Sequence, residues 1–387
     1  MIERAVSGRA GPLLNVDIRS KGVMSRRRHG NTDAPVCGSL STAELLLCSN
    51  PVPDHQRPTM TATMVPGLEF LPGVLPTDRL NKRGMPVGTL RAELRVIASW
   101  RNGLTVISAL AETVGLIVAS SLVIERTGWW PLYAVTFVLM GRGFALLAIL
   151  GHESAHKLLF ANQRLNDAVG TVVCNGLGFT SQGAYRRAHF SHHRDPLGPD
   201  EPDQTLYREY PVTWPTLRRR LRRDATGESG FKVIRSLLRA LRNPIARRSV
   251  LQVLAVQAVL FVVLGMSVGW WAWPLLWFGP WLTVWRVINR LRAIAEHGGM
   301  VNSDDDRLTT HHVHQSRSAR FWMVPYNTGF HIAHHADMGV PWRNLPRLHA
   351  ELVAAGHILP GLEYPSYVAL WRRLASRPLS QTARTDT

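Results

Sequence analysis

The sequence predicts an all-α integral membrane protein: four transmembrane helices in two hairpins, capped by a helical region that carries a histidine-rich metal centre. Three observations predict it. Four apolar stretches each have roughly the 20 residues a helix needs to cross about 30 Å of hydrocarbon. They come in two pairs with very short internal links, so each pair forms a helical hairpin. Nine of the 16 histidines are clustered, and spacings of three and four recur among them, which places side chains on one helix face.

Residues 1–85 are polar and rich in Pro, Gly and Arg, with Pro51, Pro53, Pro58, Pro66, Pro72 and Pro76 and the basic run Arg26-Arg27-Arg28. No period is sustained there, and this composition is expected to stay disordered. Met24, Met60, Met64 and Met85 are each conceivable alternative starts. No continuous apolar run follows a basic start, so a cleaved secretory signal is not expected. The membrane domain is expected over residues 86–370, with a polar tail over 371–387. Cys37, Cys48 and Cys174 form no C-x-x-C, which argues against a disulfide framework or an iron–sulfur cluster.

The expected spans are Leu104–Ile124, Pro131–Leu150, Val250–Val268 and Trp271–Ile288. Trp129, Trp130, Trp270, Trp271 and Trp273 fall at the hairpin tips, where amphipathic indoles favour the interface. Of the charged side chains that orient such spans, the tips carry only Arg126. The opposite ends carry Arg91, Arg95, Arg101, Lys157, Arg164, Arg239, Arg242, Arg247, Arg248, Arg286, Arg290 and Arg292. That asymmetry places both termini and the long middle segment in the cytoplasm. Basic residues crowd beside apolar spans without a nucleic-acid-binding motif, so the net charge of +18 points to a membrane surface and no nucleic acid is expected. The run Arg218–Arg220, Arg222 and Arg223 reads as a solvated or headgroup-facing surface. Glu112 and Arg142 lie eight residues inside neighbouring spans, an equal depth of roughly 12 Å that suggests an ion pair.

The histidines sort into three clusters and one more. His152 and His156 form H-x-x-x-H; His189, His192 and His193 form H-x-x-H-H; His331, His334 and His335 repeat it; His297 stands in Glu296-His297. Chance supplies an H-x-x-H-H only about 0.03 times in a chain of this composition, so two are a strong signal. The stretch Val169–Phe179 is too short to cross and is expected to lie in the interface. An even number of crossings then separates the clusters, and all nine imidazoles emerge on one membrane face. Imidazole suits iron, zinc and copper.

The words Gly151-His152-Glu153-Ser154-Ala155-His156, His189-Phe190-Ser191-His192-His193 and His331-Ile332-Ala333-His334-His335 resemble the three histidine boxes of the membrane fatty acid desaturase superfamily. Arg292-Ala293-Ile294-Ala295-Glu296-His297 and the run from Val340 to His349 are similar to bacterial members. The resemblance covers about residues 100–355. It implies two iron ions held by His152, His156, His189, His192, His193, His297, His331, His334 and His335, with O2 as co-substrate. Hydrogen would be removed from an unactivated C–H bond of a lipid acyl chain. A bacterial inner membrane is the location it implies.

The first box is one residue shorter than in acyl-CoA desaturases, and Ala293 stands where those enzymes carry Asn. Those departures move the chain toward acyl-lipid, carotenoid or sphingolipid enzymes and leave desaturation and hydroxylation both open. Iron-bound neutral imidazoles want nearby carboxylates, and Glu153, Asp195, Glu296 and Asp337 lie within two residues of a box or of His297. His311, His312 and His314 follow Asp304–Asp306 in a polar stretch and lack partners of matching spacing, so they, like His349 and His357, are expected not to be metal ligands.

No haem-binding domain, Cys-rich cluster motif or G-x-G-x-x-G fingerprint is present. A separate electron donor is therefore implied: a ferredoxin, rubredoxin or cytochrome with its reductase. Two rival classes are weaker. A zinc protease would use His152-Glu153-x-x-His156 with Glu153 as general base, which leaves the other histidines unexplained. A metal transporter would place more polar residues in its spans.

Overall fold

The computed structural model describes residues 64–65, 77–199, 201–358 and 363–377. The unit Met1–Arg57 and most of the expected disordered tail lie outside them. Residues 77–85, which composition assigns to that tail, pack on the body: Leu80 is buried, and Arg79 donates to Glu351 at 2.9 and 2.6 Å. At the other end the helix Tyr367–Leu374 runs past the expected boundary at 371.

The described chain is mostly helical, with a short parallel ladder of His312–Val313 and Glu363–Tyr364 and two isolated bridges, Leu80–Pro86 and Thr213–Ser376. Three helical stretches are long and apolar enough to cross a membrane: Gly88–Thr127, Leu132–Ala155 and Pro244–Ser267. The first ends at Gly128, whose φ of 68° is a left-handed stop that glycine adopts without strain. Trp129 and Trp130 follow at the tip, both exposed, as an interfacial aromatic belt requires.

The stretch expected as a fourth span is built differently. A π-helical segment Trp273–Phe278 leads into a short helix Gly279–Leu282, and the chain breaks at Thr283 (φ −119°, ψ −81°) before the helix Val284–His297. Pro274 and Pro280 stand in the first turns of the π-helical segment and of the short helix, where a missing amide donor is tolerated and only the preceding turn is disturbed. This broken limb still returns the chain from the far end of Pro244–Ser267 to the histidines.

Arg142 and Glu112, well inside the apolar helices, match each other. Arg142 also donates to the carbonyl of Phe321 at 3.0 Å. Ser108 donates to Glu112 at 2.9 Å. Gln257, buried on Pro244–Ser267, donates to the carbonyls of Gly176 and Leu177 and accepts from the Trp273 indole. An unmatched charge or amide at such depth would be costly. The stretch Val169–Phe179, expected in the interface, begins at the end of the helix Gln163–Val169 and runs through a π-helical stretch Gly170–Gly176.

Candidate metal centre

Four helices bring the nine clustered histidines together. His152 and His156 sit at the C-terminal end of Leu132–Ala155, and His189, His192 and His193 end the helix Gln182–Arg194. His297 closes Val284–His297, and the short helix His331–Ala336 carries His331, His334 and His335. His193 is partly buried and the other eight are buried.

The nine divide into two groups, each with ligand atoms within 4.8 Å of one another: His152, His156, His189, His193 and His334 in one, and His192, His297, His331 and His335 in the other. Helix geometry accounts for the division. At about 100° per residue, positions i and i+4 lie only about 40° apart, while i+3 falls on the other side of i. The first and last histidines of each H-x-x-H-H therefore share a group, and the middle one turns to the other. His189 and His193 join the first group and His192 the second; His331 and His335 join the second and His334 the first.

Within the first group the Nε2 atoms approach in a chain: His156 to His189 at 2.8 Å, His189 to His193 at 3.1 Å, His193 to His334 at 3.0 Å and His334 to His152 at 3.1 Å. In the second, His331 and His297 are 2.9 Å apart and His192 and His335 3.3 Å. Two nitrogens at right angles on one ion, each about 2.1 Å from it, lie roughly 3.0 Å apart. Lone pairs this close repel unless a shared cation or proton lies between them. An all-imidazole donor set with these spacings fits a divalent transition metal in each group.

Burial first, and then the charge of neighbouring imidazoles, holds His189, His193, His331, His334 and His335 well below the ordinary histidine value. His297 is lowered by the same burial and by His192. These rings are neutral at physiological pH, the form a metal requires.

Several ring nitrogens are fixed from behind. His192 Nδ1 donates to Glu201 Oε1 at 2.5 Å, and His297 Nδ1 donates to the Thr309 carbonyl at 2.8 Å. Each contact leaves Nε2 with its lone pair facing the group. His152 Nδ1 is buried without a partner. Arg186, three residues before His189, donates to the carbonyls of Ser154 and Ala155 at 2.9 Å and to Asp167. It thereby supplies a donor to the carbonyl-rich end of the first-box helix and ties that box to the second.

The four expected carboxylates are placed variously. Glu296 lies 3.7 Å from His331 Nδ1 and pairs with Arg292 at 2.7 Å. Glu153 accepts from the Trp342 amide at 3.1 Å. Asp195 accepts from Asn302 at 2.6 Å. Asp337 pairs with Arg95 at 2.7 Å and caps the Gly339 amide. The last three bind partners other than the box rings. Glu201, Thr309 and Arg186 were not singled out from the sequence, and only Arg186, on the helical face of the second box, carried a local signal. His311, His349 and His357 belong to neither group, while His312 and His314 fall with Glu363 in a third, smaller one.

A polar cavity of about 150 Å³ touches both groups, meeting His152 and His189 on one side and His192, His297 and His331 on the other. Tyr185, Asn289 and Arg292 also line it. It suits a small molecule, since pockets for whole drug-sized ligands begin near roughly 300 Å³.

The family model for fatty acid desaturases matches residues 128–376, a stretch that includes all nine histidines. No curated protein matches the chain.

Proposed function

The chain belongs to the fatty acid desaturase family, and from that premise we propose that it is an O2-dependent lipid desaturase with two irons held by the nine clustered histidines. What supports this most is the five-and-four division of the imidazoles, with Nε2 atoms 2.8–3.3 Å apart in both groups. Two irons bound there would supply O2 activation and removal of hydrogen from an unactivated C–H bond of an acyl chain.

The chain's own residues do the rest. Glu201 and Thr309 hold His192 and His297 in the tautomer that presents Nε2. Burial keeps water away from the donor nitrogens and holds His189, His193, His331, His334 and His335 in the neutral form that binds an ion. The cavity beside both groups has room for O2 or water. In this reading the apolar helices lead from the bilayer to the histidines, an acyl chain would reach the centre from that side, and the stretch Trp271–Ile288, broken at Thr283, would serve as the fourth crossing. The flanking arginines orient the centre and both termini to the cytoplasm. Electrons come from a separate carrier, since the sequence holds no haem-binding domain, Cys-rich cluster motif or G-x-G-x-x-G fingerprint.

Glu153 is engaged by the Trp342 amide, and its neighbours His152 and His156 share their group with three further histidines. Neither observation supports a protease with Glu153 as its base. The test is expression in a host without such activity, followed by mass spectrometry of its lipids. Loss of two hydrogens from an acyl chain supports desaturation. Gain of one oxygen would make the enzyme a hydroxylase, and unchanged lipids would overturn the reading.

A further inference from the structure

We propose that His312, His314 and Glu363 form a third metal site, separate from the nine-histidine centre, that takes a divalent cation of the zinc class. Backbone geometry brings the three together. His312 and Val313 pair in parallel with Glu363 and Tyr364, with His312 opposite Glu363, and the His314 amide donates to the Tyr364 carbonyl at 2.9 Å. Alternate residues of a strand point to the same face, and so do register partners across a ladder. His312, His314 and Glu363 accordingly share one face, with donor atoms within 4.8 Å of one another.

The surroundings favour a cation. His312 is 4 % exposed and its Nδ1 is buried without a hydrogen-bond partner, which is expensive unless something else satisfies the ring. His349 stacks on it at 4.2 Å, and burial pushes the His312 imidazole down to about 3, so it offers a lone pair at neutral pH. His314 and Glu363 are exposed, which leaves a path for the ion. Two imidazoles and one carboxylate, with room for water, are a donor set that zinc accepts.

The site would also have a structural consequence. The segment just before it supports His297: Thr309 accepts from His297 Nδ1 at 2.8 Å, and the His311 amide donates to the Glu296 carbonyl at 3.0 Å. An ion on His312 and His314 would clamp this segment to the strand from Glu363.

The experiment uses the full chain in detergent, purified with its own metals, dialysed against micromolar Zn2+ alone and counted by elemental mass spectrometry. The wild-type protein should gain one zinc per chain over its starting content while its iron stays constant. His314→Ala and Glu363→Gln, both at exposed positions, should each lose that added zinc and keep their iron. A wild-type protein that gains no stoichiometric zinc, or variants that gain as much as wild type, would overturn the site. Either result leaves the lipid-profiling test untouched, so the two readings fail separately.

Discussion

His192 Nδ1 and Glu201 Oε1 lie 2.5 Å apart, with the carboxylate fully enclosed. A carboxylate can only accept, so the proton sits on Nδ1 and Nε2 is left to the metal group. The Leu197 amide donates to the second carboxylate oxygen at 2.5 Å and fixes its orientation. Glu201→Gln should lower metal affinity of the four-histidine group by roughly 10-fold, and Glu201→Ala by up to about 100-fold. Metal titration of purified variants reads this directly. Affinities equal to wild type in both would show that Glu201 does not position His192.

Neighbouring histidines should have separable effects. His334 belongs to the five-member group and His335 to the four-member group, though they are adjacent in sequence. His335→Ala leaves three imidazoles, and His334→Ala leaves four. The first variant should lose one ion readily and retain the other, while the second should hold both more nearly, with lipid turnover abolished in each. Iron per chain, measured after gel filtration, checks it. The same losses in both variants would contradict the division.

That division was latent in the sequence, since the 40° and 60° offsets of i+4 and i+3 follow from helix geometry alone. Glu201 was not. It lies eight residues beyond His193 in a loop with no period, and only the fold returns it to the second box. Glu153 and Asp337 are near the boxes in sequence, yet one residue along a helix turns Glu153 about 100° from His152, and Asp337 lies past the end of its helix in extended backbone. Glu153 reaches the Trp342 amide and Asp337 reaches Arg95 as a result. Apolar length located three membrane-length helices, because hydropathy averages over about 20 residues. The same averaging hid the break at Thr283.

Electron delivery should depend on salt. Arg218, Arg219 and Arg222 are exposed on the helix Trp214–Ala225, a basic face suited to an acidic carrier. Association steered by such charges slows as ionic strength rises. Reduction rates with an acidic ferredoxin should therefore fall between low and physiological salt, and fall less in Arg218→Gln/Arg222→Gln. A flat salt dependence would remove these arginines from the docking surface.

Acid should destabilise the fold through histidines outside the metal groups. Burial lowers both His311 and His357 from 6.5 to about 4. Between those values the unfolded chain binds protons that the folded chain refuses, so stability rises with pH. The stability is complete above about 6.5 and drains away as pH falls toward about 4. Chemical unfolding of the metal-free protein at a series of pH values should show this slope, and His357→Leu should reduce it. An unchanged slope in that variant would mean that His357 titrates normally.

Gly170 tests how closely the elements behind the first box must meet. A Cβ there would lie 1.9 Å from Ser154 Oγ and 2.8 Å from Ser154 Cβ. Ser154 cannot yield, because its hydroxyl donates to the Asn166 carbonyl and accepts from Gln182, both at 2.9 Å. The segment Gly170–Gly176 would have to retreat from the helix end that holds His152 and His156. Gly170→Ala should cost roughly 1–3 kcal/mol and loosen metal binding in the five-histidine group. Gly183→Ala is the contrast, since its added methyl meets only Arg187 at an ordinary 3.6 Å. In a helix that change should be neutral or stabilise by up to about 1 kcal/mol. Thermal unfolding of the two variants separates a packing requirement from a general dislike of alanine; equal behaviour would deny Gly170 its special place.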